Sequence, residues 1–184
     1  MPPLKKVRKL AAEELFEYAV KLLGVRGYST GDLRSKLRLK AAEPADIDGT
    51  LVRLKEVGYL DDGRYARGYA SARVENQGFG RIRVLNDLRA RRISGNLADQ
   101  AVTQALEGRT EAELIQAYIE RRMGSLFTGG PVEDERKLAA AYRRLRRAGF
   151  TSGANLAALK RNAARPETLD ETINDMPEED DEGG

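Results

Sequence analysis

GYLDDGRYARGYASARVENQGFGRIRVLNDL, residues Gly58–Leu88, decides how this chain folds. After Asp61-Asp62, the residues Tyr65, Tyr69, Ala72 and Arg73 recur on one side of a helix running from about Asp61 to Gln77. Carboxylates at a helix start accept its first backbone N–H groups, so capping is a better use for Asp61 and Asp62 than a metal pair. Gly78 and Gly80 flank Phe79. They read as a tight helix–helix turn with an anchoring aromatic, since the stretch lacks the length and the lysine of a phosphate loop. A second helix follows, with Ile82, Leu85 and Leu88 facing inward. Tyr59, Tyr65, Tyr69 and Phe79 stand among basic residues and are able to stack on bases. Their helical spacing assigns them to the core instead.

The same grammar extends outward. Upstream, Leu15, Phe16, Ala19, Val20, Leu22 and Leu23 form a stripe that Gly24 and Gly27 can end. Ser29, three residues before Asp32, opens a short helix with Leu33 and Leu37. Pro44 starts another, lined by Ile47, Leu51 and Leu54 and stopped by Gly58. Downstream come Leu97, Ala101, Val102, Ala105 and Leu106, then Leu114, Ala117, Tyr118 and Ile119, then Leu138, Ala141, Tyr142 and Leu145, then Leu156 and Leu159. This makes about nine helices of roughly 10–16 residues, with no period-2 alternation.

Three rounds of long, short, short helix predict an all-α fold of tandem three-helix repeats, extended and solenoid-like. Laying Leu37 on Leu88 (offset 51) puts Leu51 on Val102 and Leu54 on Ala105. Laying Leu88 on Leu145 (offset 57) puts Ile93 on Phe150 and Val102 on Leu159. The plainer alternative is a bundle with accidental periodicity. The expected segments are a flexible basic arm at 1–10, repeats at 11–60, 61–108 and 109–164, and a disordered acidic tail at 165–184.

Composition limits the chemistry. Apolar residues make up 41% of the 184, aromatics 6%, and charged residues 33%. There is no Cys and no His, which removes thiol chemistry, the commonest general base and the commonest metal ligand. An enzyme is therefore disfavoured, and no cofactor or metal is expected. The net charge of +3 hides an asymmetry. Residues 166–184 hold nine acids and no base, which leaves 32 basic against 20 acidic side chains, or +12, in the first 165. Such a body attracts phosphate or an acidic protein surface. The tail either folds back on the arginines and weakens that attraction or serves as an inert solubilising segment. No apolar run is long enough to span a bilayer, and the basic start lacks the apolar core of a signal peptide. The expected setting is the cytoplasm, without membrane contact.

Gly58-Tyr59-Leu60-Asp61-Asp62, Tyr65-Ala66, Tyr69, Gly78-Phe79-Gly80, Arg81-Ile82 and Leu88 together resemble the signature of RecX family regulatory proteins. AVKLLGVRGYSTGDLRSKL upstream resembles that family's first repeat, and LRRAGFTSGANLAALK downstream its last. The resemblance covers about Ala19 to Leu159. Tyr28 departs from the family's frequent histidine, Gly63 from a charged residue, and Arg92-Ile93 lacks a preceding glycine. The resemblance implies tandem three-helix repeats in an elongated, curved array, forming a non-enzymatic monomer that lies in the groove of RecA filaments. There it would inhibit ATP hydrolysis, strand exchange and co-protease activity, with weak to moderate contact to single- or double-stranded DNA.

Arginine forks bind carboxylate or phosphate bidentately, so the candidate contacts are Arg81, Arg83, Arg89, Arg91 and Arg92 in the middle, and Arg143, Arg144, Arg146 and Arg147 near the end. Helical geometry puts Arg81 and Arg92 on one face with Arg89 at its edge and Arg83 turned away. Arg143 and Arg147 are i, i+4 neighbours on an outer face. The plainer reading makes these solvated faces, some offsetting a helix dipole. The second functional reading is a direct DNA-binding protein of helix-turn-helix type.

Overall fold

The structure, a computed structural model, describes residues 8–127 and 130–174. Among these residues there are ten α-helices and no strand. They are α1 (Ala12–Val25), α2 (Thr30–Arg38), α3 (Ala45–Glu56), α4 (Asp62–Ala72, continued by a π-helical turn Arg73–Gln77), α5 (Arg81–Ala90), α6 (Gly95–Ala105), α7 (Glu111–Phe127), α8 (Glu135–Arg147), α9 (Ser152–Lys160) and α10 (Leu169–Asn174). Two compact units form. One comprises Met1–Ser71 with Leu85–Ala105, and the other Ala72–Val84 with Leu106–Gly184.

In the first unit, Leu15 and Ala19 of α1, Leu33 and Leu37 of α2, and Ile47, Leu51 and Leu54 of α3 close on one another. Each fully buried leucine contributes about 1.5–3 kcal/mol. The basic arm is tied down at its last residue, because the Leu10 amide donates to the Lys40 carbonyl and the Ala42 amide donates to that of Leu10, both at 2.8 Å. Residues 1–7 of the expected arm lie outside the described residues.

Two expectations about the middle stretch change. On α4 the buried positions are Ala66 and Ala70, followed by Val74 in the π-helical turn. Tyr65, Tyr69 and Phe79 are only half-buried, and Tyr59 is 55% exposed. The tyrosines sit one position off the alanine line, so the small residues meet the core and the rings stand at its rim. On α5 the inward residues are Val84, Leu85 and Leu88, while Ile82 is 42% exposed.

The second unit fixes the repeat register. Val132 precedes α8 and pairs with the segment after α9: its amide donates to Asn162 at 2.8 Å and it accepts from Ala164 at 3.0 Å. Leu10, before α1, pairs in the same way with the segment after α2. The third triplet is therefore α8–α9–α10, with α7 an additional helix before it. The offset of 51 between the first two triplets holds: Tyr28 falls on Phe79, Leu37 on Leu88 and Ile47 on Ala98. The step to the third is 71 rather than 57, placing Phe79 on Phe150, Leu88 on Leu159 and Ala98 on Leu169. The leucines Leu37, Leu88 and Leu159 are all fully buried. An offset of 57 aligned leucines from different helices, because leucine recurs on every inward face.

The same register corrects the tail. α10 occupies part of the stretch expected to be disordered from 165, and it is held at its start. Leu169 is 1% exposed, Lys160 Nζ reaches Asp170 at 2.5 Å, and Thr168 Oγ1 donates to Glu135 at 3.0 Å. A single buried leucine and two polar ties are too sparse a signal for a periodicity search. The remaining tail, 175–184, lies outside the described residues, as does any contact it makes with arginines.

Candidate interaction surfaces

The start of each triplet's second helix is a docking point. In the first unit Ser29 caps α2 by accepting from the Asp32 amide at 3.0 Å, and its hydroxyl donates to the Arg91 carbonyl at 2.6 Å. The next amide, Thr30, donates to Asp62 Oδ1 at 2.7 Å. In the second unit the Gly80 and Ile82 amides, orphan donors of the first turn of α5, reach the Ala148 and Gly149 carbonyls at 2.7 and 3.1 Å. The Thr151 amide, before α9, donates to Glu111 at 2.8 Å. Gly80 and Gly149 permit this approach: a Cβ on Gly80 would stand 2.4 Å from the Gly149 oxygen, and Gly149 has φ +91°.

These junctions sort the nine candidate arginines. Arg89, Arg91 and Arg92 belong to the first unit, and the other six to the second. Arg91 and Arg92 make contacts within the first unit. Arg91 donates to the Asp87 carbonyl at 2.9 Å and lies 4.4 Å over the Tyr69 ring. Arg92 lies past the end of α5 with φ +58°, so it does not continue a helical face with Arg81 and Arg89. Its guanidinium donates to the Gly31 carbonyl at 3.1 Å and to Ser35 Oγ at 2.5 Å. Arg89 is exposed near the end of α5.

In the second unit the Gly80–Gly149 junction brings the first turn of α5, with exposed Arg81 and Arg83, to the end of α8, where Arg144, Arg146 and Arg147 are exposed and Arg143 is half-buried. Arg83 stands 5.7 Å from the Phe79 ring centre. Arg146 donates to Ser152 Oγ at 2.5 Å. The inward line of α8 is Leu138, Ala141 and Leu145.

Sequence reasoning missed a cleft of about 490 Å³ in the first unit, lined by Leu23, Gly27, Tyr28, Tyr59, Asp61, Arg64, Tyr65, Gly68 and Tyr69. Tyr65 and Tyr69 stack with ring centres 6.0 Å apart and planes 22° from parallel. Arg26 lies 4.4 Å over Tyr28. The available signal was the tyrosines' phase relative to Ala66 and Ala70. Asp61 serves the local backbone: it accepts from the Arg64 amide at 2.9 Å, and that bond holds its carboxyl below the usual value. Thr110 and Glu113 form the corresponding cap on α7, and the Thr110 amide lowers the Glu113 carboxyl in the same way.

The sequence and fold have clear relatives. A regulatory protein RecX of Halorhodospira halophila is 30% identical over 143 residues, 77% of this chain and 84% of the relative. The chain belongs to the RecX family. The family profile for the second three-helix domain of RecX matches residues 61–102, the triplet α4–α6. A regulatory protein RecX of Trichlorobacter lovleyi is 31% identical, over 73% of this chain and 86% of that one. The RecX crystal structure from Lactobacillus salivarius shares the fold at a TM-score of 0.63 and 14% identity, covering 86% of this chain and 96% of the other. Tandem three-helix repeats are thus the architecture of this chain, and none of its described helices is long and apolar enough to cross a membrane.

Proposed function

We propose that this protein is a cytoplasmic, monomeric, non-enzymatic regulator that binds RecA nucleoprotein filaments. It inhibits their ATP hydrolysis, strand exchange and co-protease activities by occupying the filament groove. The observation that carries this reading is family membership across three-quarters of the chain. Tandem triplets suit a polymeric partner, because linked weak contacts to successive copies raise avidity without any new kind of bond. The arginines of α8 and of the first turn of α5 offer forks to carboxylates or phosphates, including weak to moderate contact with DNA. No step of the role requires bond making, in keeping with a chain that has neither His nor Cys.

The same exposed arginines at the start of a short helix favour, as a second reading, direct helix-turn-helix DNA binding. Titration of the full chain into the ATPase reaction of RecA on single-stranded DNA separates the two. Inhibition is expected at protein levels far below those that saturate the DNA. No effect at any stoichiometry rejects the filament reading, and a base-sequence preference with steep salt dependence would then establish the second.

A further inference from the structure

The tyrosines of α4 are spared from the core, and the first unit gathers them into the cleft described above. We propose that this cleft is a base-stacking site for single-stranded nucleic acid. It does not rest on the filament reading.

Four aromatic rings line one cleft, and three already have a flat neighbour: Tyr28, 8% exposed, lies under Arg26, Tyr69 under Arg91, and Tyr65 stacks with Tyr69. These contacts hold the rings in fixed orientations, so little side-chain freedom is lost when a further flat group is added. Tyr59 stands at the mouth with more than half its surface exposed. Gly27 and Gly68 keep the wall low: a Cβ on Gly27 would touch Tyr65 at 3.4 Å, and beside Gly68 there is open space. A volume of about 490 Å³ lies within the usual range of small-ligand pockets and suits one or two bases.

The charge arrangement selects the occupant. Asp61 is engaged with the Arg64 amide, and Asp87 accepts from the Tyr69 hydroxyl at 3.0 Å. Asp61 and Arg64 both line the cleft and Arg26 lies over Tyr28, so two guanidinium groups stand at its edge against the Asp61 carboxylate. Planar faces with cations beside them fit a base and its phosphate. An apolar peptide would gain little from the cations, and an acidic one little from the rings. A duplex keeps its bases stacked inside and gives the rings nothing to bind.

The test uses the full chain and a short fluorescein-labelled oligothymidylate. Without Trp, protein emission comes from the seven tyrosines, four of which line the cleft, so binding should quench it. Tyr59→Ala removes an exposed ring and leaves the core intact, and Tyr65→Leu removes the central one. Each is expected to weaken single-strand binding by roughly 5- to 100-fold. Duplex affinity and the salt slope should stay unchanged, and Tyr65→Phe should bind like the parent. Arg64→Gln is expected instead to lower the salt slope by about one. Unchanged single-strand affinity in both Tyr59→Ala and Tyr65→Leu overturns the proposal. If those variants also lose filament ATPase inhibition, the cleft is a protein dock and the filament reading stands. A parent that leaves the ATPase untouched, with variants that lose single-strand binding, sinks the filament reading and upholds the cleft.

Discussion

Gly31 lies directly beneath Arg92: a Cβ added to Gly31 would come within 2.5 Å of the Arg92 Cβ. The first turn of α2 and the turn between α5 and α6 can therefore meet only if residue 31 has no side chain. Gly31→Ala is expected to destabilise the protein by about 1–3 kcal/mol through overpacking. Gly49, inside α3 with open space around it, is the internal control. Gly49→Ala should stabilise by about 0.5–1 kcal/mol. Urea midpoints of the two variants should move in opposite directions.

Ser29 is fully buried and holds two backbone groups at once, the Asp32 amide and the Arg91 carbonyl. Ser29→Ala removes a cap and leaves the carbonyl without its donor, for a loss of about 1–3 kcal/mol. Thermal unfolding should show a larger drop for Ser29→Ala than for Ser152→Ala, which changes an exposed residue at the start of α9.

The repeat register exposes a misfit in the third triplet. Asn155 is fully buried where the other triplets have Leu33 and Val84. Its Nδ2 donates to the Phe150 carbonyl at 3.2 Å, but Oδ1 has no protein partner. Replacing a buried group that has no acceptor bond with a similar-sized hydrocarbon should gain about 1 kcal/mol. Asn155→Leu is thus expected to raise Tm, and a lowered Tm would show that the amide bond to Phe150 outweighs the misfit.

Two carboxylates link stability to acid. Asp61 and Glu113 are both held below their usual values by backbone amides. The unfolded chain binds more protons than the folded one once pH falls below the ordinary carboxylate range, about pH 4. Their stabilisation is therefore fully present above that range and is lost as pH drops through the folded values. Asp61→Asn and Glu113→Gln should flatten the acid limb of a stability–pH curve and leave its slope near neutrality unchanged.

The arginines divide by what their loss would change. Arg92→Ala removes bonds to Gly31 and Ser35 and should cost about 1–2 kcal/mol of stability. Arg144→Gln with Arg147→Gln alters two exposed positions in the last turn of α8 and should cost about 1 kcal/mol of stability at most. That double variant should instead weaken inhibition of the filament ATPase several-fold.

The sequence by itself determined the helices up to α9, the first two triplets and the family. Apolar spacing, glycine stops and caps such as Ser29 and Asp61 are local properties, and local physics reads them correctly. The first repeat step of 51 was also legible, from the leucine spacing that lays Leu37 on Leu88 and Leu51 on Val102. Only the tertiary structure decided the third triplet, the core of α4 and the local contacts of Arg91 and Arg92. The helix α10 rests on one buried leucine and two polar ties, and Leu10 and Val132 pair with segments some 30 residues away. Which face of a helix counts as inward depends on what packs against it: Ala66 and Ala70 won over larger neighbours because small residues let backbones come close. Arg91 and Arg92 look in sequence like Arg144 and Arg147, yet across 61 residues of chain Arg92 has Gly31 to hold.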